Sequence, residues 1–222
     1  MARSPQKRTR KSRSSASSKA PYHHGNLRSE LIAAALKLLE EQGAAQLSLR
    51  SVARKLGVSQ TAPYHHFADK NALLAALATE GFRKLAANVQ NSALQEHPFE
   101  QRISRLCGGL VRFARDNPEL FRTMYDGYVR NKMEYPELVE AASNSYRTLV
   151  RRVGDTLEEF GVSNIDVDYA AMSIFCLGYG MASFIVEKRI SPEVVNVIGD
   201  GRAFVRQVSG ILAAGFNNSK KK

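Results

Sequence analysis

Apolar residues recur along most of this chain at the three-to-four-residue spacing that lines one face of a helix, and no stretch alternates with period two long enough to build a sheet. Leu27, Leu31, Ala35 and Leu38 mark a first helix, with Asn26 placed to cap its start and Gly43 to stop it. Leu49, Val52, Ala53 and Leu56 mark a second, only about two turns long, between a cap at Ser48 and a stop at Gly57. A third short run is expected from a cap at Ser59 through Phe67. Asp69 then opens a long fourth helix, about Lys70 to Gln95, carrying Leu74, Leu77, Leu85 and Val89. Further helices are predicted over Phe99 to Asn117, after Pro118, over Pro136 to Phe160, over Ile165 to Arg189 and from about Glu193 to Phe216. The pattern predicts an all-α chain of about nine helices.

One segment departs from amphipathic spacing. Tyr169 to Val186, YAAMSIFCLGYGMASFIV, runs 18 residues without a charge, the lower edge of what crosses a hydrocarbon core of ~30 Å. It contains Ser173, Gly178, Tyr179, Gly180 and Ser183, and no second hydrophobic segment partners it. A helix apolar all round is expected to be buried all round, in a domain centre or a subunit interface, so no membrane partner is predicted.

Charge adds a direction to this picture. Residues 1 to 20 carry seven Lys or Arg and no acid, Lys220 to Lys222 add three more at the other end, and Ala68 to Ser219 are close to neutral. A basic front on a near-neutral body suggests a polyanion bound at the N-terminal end, nucleic acid or an anionic membrane. The first 20 residues lack the composition to fold and are expected to be disordered. They also lack the apolar core of a secretory signal. At 222 residues and 44 % apolar content, the rest is long enough for one large domain or two small ones. Cys107 and Cys176 lie far apart in apolar surroundings without metal-ligand spacing, so they read as small buried residues of a reducing compartment.

Two short helices joined at a glycine turn, behind another helix and a basic front, form the arrangement of a helix-turn-helix DNA reader. The second of the pair enters the major groove N-terminus first, where its free N–H groups favour phosphate and its early side chains reach base edges. Gln60 and Thr61 hold those early positions. Gln bonds an adenine edge bidentately, and Thr offers a hydroxyl and a methyl. The neighbouring His65 and His66 point about 100° apart on a helix and cannot chelate one ion together, and neither has a Glu or His four residues away. Nucleophile, base and orienting acid appear at no recognisable spacing, so no enzyme activity, metal or cofactor is expected.

Leu47 to Leu77, LSLRSVARKLGVSQTAPYHHFADKNALLAAL, resembles the DNA-binding domain of the tetracycline-repressor (TetR) family. The likeness covers about fifty residues from Tyr22: a short helix, a Gly-Val turn, a recognition helix ending in Tyr-x-His-Phe, then a Lys and a Leu-Leu pair. The resemblance implies that Arg50, Gln60, Thr61 and His65 face bases, while Ser48, Tyr64, His66 and Lys70 contact the DNA backbone. His23 and His24 lie in a YHHGNLR stretch that the resemblance places near phosphates at the start of the first helix. Two departures stand out. Thr61-Ala62 replaces the family's usual Gly-Thr, and Pro63 replaces an aliphatic residue. Pro63 removes the first i to i−4 bond, so the recognition helix is expected to start tightly wound or one residue late.

The resemblance further implies a ligand pocket and dimer interface in the C-terminal helices. Small residues such as Ala170, Gly178, Gly180, Ala203, Gly210 and Gly215 would let the last two helices approach a partner closely. Phe175 to Phe184, FCLGYGMASF, is similar to the Trp-x-x-x-His-Gly signature of one C-terminal subfamily, with Phe175 and Tyr179 in place of Trp and His. Phe113, Phe121, Met124, Tyr125, Tyr128, Tyr146, Met172 and Tyr179 are the candidate pocket residues. The expected organisation is a basic arm (1–20), a helix-turn-helix domain (21–68), a ligand-binding and dimerisation bundle (69–217) and a basic tail (218–222). The expected function is a dimeric, cytoplasmic bacterial transcriptional regulator that binds double-stranded operator DNA. It would be a repressor released by a small-molecule effector, with a nonspecific architectural DNA binder as the alternative.

Overall fold

In the first helix, α1 (Leu27–Gln46), one face buries Leu31, Ile32, Ala34, Ala35, Leu38 and Leu39. Gly43 interrupts it with φ 76 and ψ 165, a combination open essentially to glycine alone, and so turns the last residues aside. This computed structural model describes residues 27–92, 97–163, 165–187, 193, 196, 199 and 201–218. The expectations for residues 1 to 20, for His23 and His24, for the Asn26 cap and for Lys220 to Lys222 lie outside the described residues.

Helix α2 (Leu49–Leu56) is closed chemically at both ends. The Ser51 N–H donates to Ser48 Oγ and the Ser48 N–H donates to Ser51 Oγ, both at 3.0 Å. Gly57, left-handed at φ 69, ends it, and the Val58 N–H reaches back to the Ala53 carbonyl at 3.1 Å. The segment that follows is not the helix from Ser59 to Phe67 that the sequence suggested. It is a turn leading into a 3-10 helix, Ala62–His65, and Ser59 does not cap it with its side chain. Ser59 instead accepts the Ala62 N–H through its carbonyl at 3.1 Å, and Tyr64 and His66 donate three residues back, to Thr61 and Pro63. Pro63 has no N–H to send to Ser59, so the tighter i to i−3 winding takes over. Its ring is buried, as is Phe67, which anchors the segment to the core.

Asp69 caps the long helix α3 (Lys70–Ser92) by accepting the Ala72 N–H at 2.8 Å. Residues 73 to 78 are all buried, because α3 is sandwiched between α1 and the C-terminal helices. These are α4 (Phe99–Asp116), α5 (Pro118–Tyr125), α6 (Pro136–Glu159), α7 (Val167–Val186) and α8 (Arg202–Asn218), with a 3-10 turn at Lys132–Glu134 before α6. The described residues thus form eight α-helices and two 3-10 helices, without a strand. The run expected from Glu193 does not continue unbroken: Gly199 and Gly201 take positive φ (54 and 78), and α8 starts only at Arg202.

Helix α4 is the hub, packed against α3, α5, α6, α7 and α8. Gly178 of α7 makes one approach possible, since a Cβ there would stand 3.0 Å from the Cys107 carbonyl oxygen. Helix α7 is long and apolar enough to cross a membrane by length and composition, yet it is not buried all round within the subunit. Tyr169, Met172, Cys176 and Phe184 are exposed along one side.

Candidate nucleic-acid interface and ligand cavity

Capping and anchoring gather a set of polar side chains at the N-terminal end of the fold. Arg50, Gln60, Thr61, Tyr64, His65 and His66 are exposed, and Ser48 and Lys70 are half-buried. Val52, Ala53, Pro63 and Phe67 hold the same two segments down from inside. Ser48 uses its oxygen as the α2 cap. Its hydroxyl proton is not used in that bond. Lys70 Nζ donates to the Ala45 carbonyl at 2.8 Å, at the C-terminal end of α1 where a cation is favoured by the helix dipole. His66 lines the groove between this unit and the start of α6, beside Arg28, Tyr135 and Glu137.

Polar ties cross that junction. Arg28 lies over the Phe67 ring at 5.8 Å and pairs with Glu137 in the first turn of α6 at 3.3 Å. The Asn71 amide donates to the Tyr135 hydroxyl (2.8 Å) and the Arg130 carbonyl (3.1 Å), and its oxygen accepts the Arg130 N–H (2.9 Å). Glu40 of α1 accepts the Leu120 N–H at the start of α5, at 3.2 Å. Burial raises the Glu40 carboxyl above its usual range, and the Leu120 and Glu119 amides pull it partly back. Arg122, one turn along α5, donates to the Val186 carbonyl at the end of α7 at 2.7 Å. Gly81 of α3 lets Met124 approach so closely that a Cβ there would sit 2.5 Å from its sulfur. Helix α5 is therefore fastened to α1, α3 and α7 at once.

Within the C-terminal helices lies a cavity of about 300 Å³, walled by α3 (Phe82, Leu85, Val89), α4 (Leu106, Cys107, Leu110), α5 (Tyr125), α6 (Ala142 to Leu149) and α7 (Ile174, Phe175). Tyr125 is its aromatic centre, with ring centroids 5.0 Å from Phe121, 5.2 Å from Tyr179 and 5.5 Å from Phe82. Burial drives the Tyr125 phenol pKa upward, and pushes the Cys107 thiol up to about 12. The Tyr146 phenol is also raised, first by burial and then by the negative charge of Asp168.

Of the candidate pocket residues, Tyr125 and Tyr146 line this cavity. Phe121 and Tyr179 stand behind Tyr125 in the ring cluster, and Met124 is buried against Gly81. Phe113, Tyr128 and Met172 are placed elsewhere: Phe113 is buried on another side of α4, and Tyr128 and Met172 are exposed. The residues the sequence reading missed are mostly leucines and other core-like apolar side chains, whose helical spacing is the same whether they meet a neighbour or a void. Ser145 carried the one usable signal, a polar residue among apolar positions of α6.

The sequence profile described as "Bacterial regulatory proteins, tetR family" matches residues 31–77, and that described as "Tetracyclin repressor-like, C-terminal domain" matches residues 103–200. The chain belongs to the TetR family. Its DNA-binding end and C-terminal bundle correspond to the two halves of that architecture, and TetR-family members are transcriptional regulators rather than enzymes. A solved structure of a protein of unknown function from Rhodococcus sp. RHA1 is 32 % identical, with a TM-score of 0.72 over 89 % of this chain and 98 % of that one. The nucleoid occlusion factor SlmA of Aliivibrio fischeri (strain MJ11) is 32 % identical over 100 residues, which is 45 % of this chain. The match spans about half, 51 %, of SlmA's length. Tetracycline repressor protein class D from Escherichia coli is 49 % identical over 53 residues, 24 % of each chain.

Proposed function

We propose that this TetR-family regulator is a cytoplasmic homodimer that reads a pseudo-palindromic operator and is released from it by a small molecule held in the C-terminal cavity. The observation that carries the reading is the double duty of α3. Its first residue, Lys70, belongs to the DNA-facing set, and its Phe82, Leu85 and Val89 form one wall of the cavity. A ligand that favours one tilt of α3 also sets where the recognition segment stands. Helix α5 supports the same link, with Tyr125 in the cavity wall and Leu120 bonded to α1.

Base-facing roles go to Arg50, Gln60, Thr61 and His65, and backbone contacts to Ser48, Tyr64, His66 and Lys70. The division into a helix-turn-helix unit (21–68) and a ligand-binding and dimerisation bundle (69–217) follows from these roles. The dimer face is the exposed side of α7 and α8. Tyr169, Met172, Cys176, Gly180 and Phe184 recur along α7, and Ala203, Gln207, Gly210, Ile211 and Ala214 along α8. Covering such a stripe with its own two-fold copy removes apolar surface from water.

Footprinting of the DNA upstream of the protein's own gene tests the DNA half of the reading. One or a few protected two-fold sites are expected, and even protection of all DNA would favour an architectural binder. The ligand half is tested by calorimetric titration of a cavity ligand with and without operator. A hundredfold loss of DNA affinity requires ~2.7 kcal/mol of coupling, and operator must then weaken the ligand by the same factor. Equal ligand affinities in the two titrations would sink the regulatory role of that ligand.

A further inference from the structure

Six serine or threonine side chains inside the described helices satisfy their hydroxyls by donating to the carbonyl four residues back. They are Thr79, Thr123, Thr148, Thr156, Ser173 and Ser209, all at 2.5–2.8 Å. Ser145, on α6, is different. It is 6 % exposed and lines the cavity, and its hydroxyl bonds neither the Ala141 carbonyl nor any other described group. Its oxygen is not among the sealed, unpartnered polar atoms of the described residues, so the hydroxyl opens onto the cavity and its bonding capacity is available to a ligand there.

The rest of the wall limits what that ligand can be. None of the lining side chains is ionisable at neutral pH: they are aliphatic, aromatic, the hydroxyls of Ser145, Tyr125 and Tyr146, and the protonated thiol of Cys107. A charge of either sign entering this space would lose its hydration with no counterion in the wall. Anions have a separate attraction in the groove between α4 and α8, where Arg105, Arg112, Arg115, Arg202 and Arg206 surround a space of about 380 Å³. The cavity itself, at about 300 Å³, lies at the small end of ligand sites and suits a body of about two fused rings.

We propose that the cavity takes an uncharged, mainly hydrocarbon ligand bearing one hydrogen-bonding group, and that Ser145 is the residue that reads that group. The proposal rests on the cavity being the effector site. Aromatic walls at Phe82, Tyr125 and Phe175 favour a planar body, which rings contact edge-on or offset. The hydroxyl of Ser145 both donates and accepts, so an alcohol, phenol or carbonyl on the ligand satisfies it equally. Selectivity then comes from two sides. The wall without a counterion disfavours the charged analogue, and Ser145 prefers the analogue with a polar handle to the bare hydrocarbon.

Four probes of one shape test this in the free protein: naphthalene, 2-naphthol, 2-naphthoate and (2-naphthyl)methylammonium. Binding is read by calorimetry in the intact protein and in Leu149→Trp, which fills the cavity, so that affinity lost in the variant is the cavity's own. 2-Naphthol is expected to bind the cavity at least about tenfold tighter than either ion, a gap of ~1.4 kcal/mol. Ser145→Ala is expected to weaken 2-naphthol roughly three- to tenfold and leave naphthalene unchanged, the unchanged naphthalene showing that the variant is folded. Either ion binding the cavity as tightly as 2-naphthol overturns the proposal, as does the absence of cavity binding by both uncharged probes. Equal losses of naphthalene and 2-naphthol in Ser145→Ala overturn the role of Ser145. Operator affinity measured with saturating 2-naphthol is a separate readout: if the probe binds as expected and DNA binding does not change, the effector reading fails while the ligand class stands.

Discussion

Gln60 and Lys70 sit on the same surface and answer different questions about DNA. Gln60 is exposed and its side chain makes no bond among the described residues, so its amide is available to a base edge. Gln60→Ala is expected to cost about 1–3 kcal/mol on the cognate operator and to relax preference at one or two base pairs. Competition binding against random DNA measures this, and equal losses on both DNAs would contradict a base-reading role. Lys70 already donates to the Ala45 carbonyl, and its ammonium has two further protons for a phosphate. Lys70→Ala should therefore lower the salt dependence by about one ion on every sequence, and also loosen the end of α1, visible as a lower unfolding midpoint. The two cysteines separate in the same residue-level way. Cys107 is buried with its thiol pushed up to about 12, while Cys176 is exposed. Because the thiolate is the nucleophile, iodoacetamide at pH 8 should label Cys176 first and Cys107 far more slowly. Peptide mapping showing equal labelling of both in the native protein would refute the raised thiol pKa of Cys107.

Helix ends are the element-scale devices that orient the DNA-facing surface. Gly43 is the sharpest of them. Its backbone is open to glycine alone, and a Cβ there would also meet the Glu119 carboxylate at 3.3 Å. Gly43→Ala is expected to destabilise the fold by about 1–3 kcal/mol, measured by urea unfolding, and to turn the end of α1 away from Lys70. A variant as stable as the parent would show that this break is not held by backbone strain. The recognition segment is the second such device. Its 3-10 winding follows from Pro63, whose missing N–H leaves the Ser59 carbonyl to Ala62. The positions of Gln60, Thr61 and His65 against a groove are consequently those of a tight turn and short helix, not of two full α-turns.

For the proposed dimer the decisive quantity is the separation of its two recognition segments. A single segment covers few base pairs, while a two-fold dimer presents two, about 34 Å or a multiple apart. Gly180 offers a test with little disturbance of the subunit, because among the described residues no group outside its own helix backbone and chain neighbours lies within 4 Å of where its Cβ would stand. Gly180→Leu should keep its helical content, sediment as a monomer at micromolar concentration and lose operator binding. A variant that remains dimeric with unchanged dissociation would move the interface off this face of α7. In the parent protein, labelling of Cys176 on the same stripe should slow as protein concentration rises.

The features legible in the amino-acid sequence are those whose chemistry closes within a few residues. Ser48 with Ser51, Gly57 with Ala53, and Asp69 with Ala72 need only their own helix ends, so the start and stop of α2 and the start of α3 could be read directly. The tight winding at Pro63 belongs to the same class, since a missing N–H acts on its own turn. Six of the side chains expected to reach DNA, Arg50, Gln60, Thr61, Tyr64, His65 and His66, are exposed, because polar residues around two short helices have no core role. The cavity was not legible in that way. Its walls come from α3, α4, α5, α6 and α7, and Phe82 meets Tyr125 and Tyr146 meets Phe175 only once distant segments pack. Helical periodicity marks a face as apolar without saying whether a neighbour, a void or a second subunit covers it. For that reason Tyr125 and Tyr128, three residues apart, look equivalent as sequence, while packing half-buries the first in the ring cluster and leaves the second exposed. The same reason separates the two sides of α7: the fold chose which side meets α4 and which stays exposed.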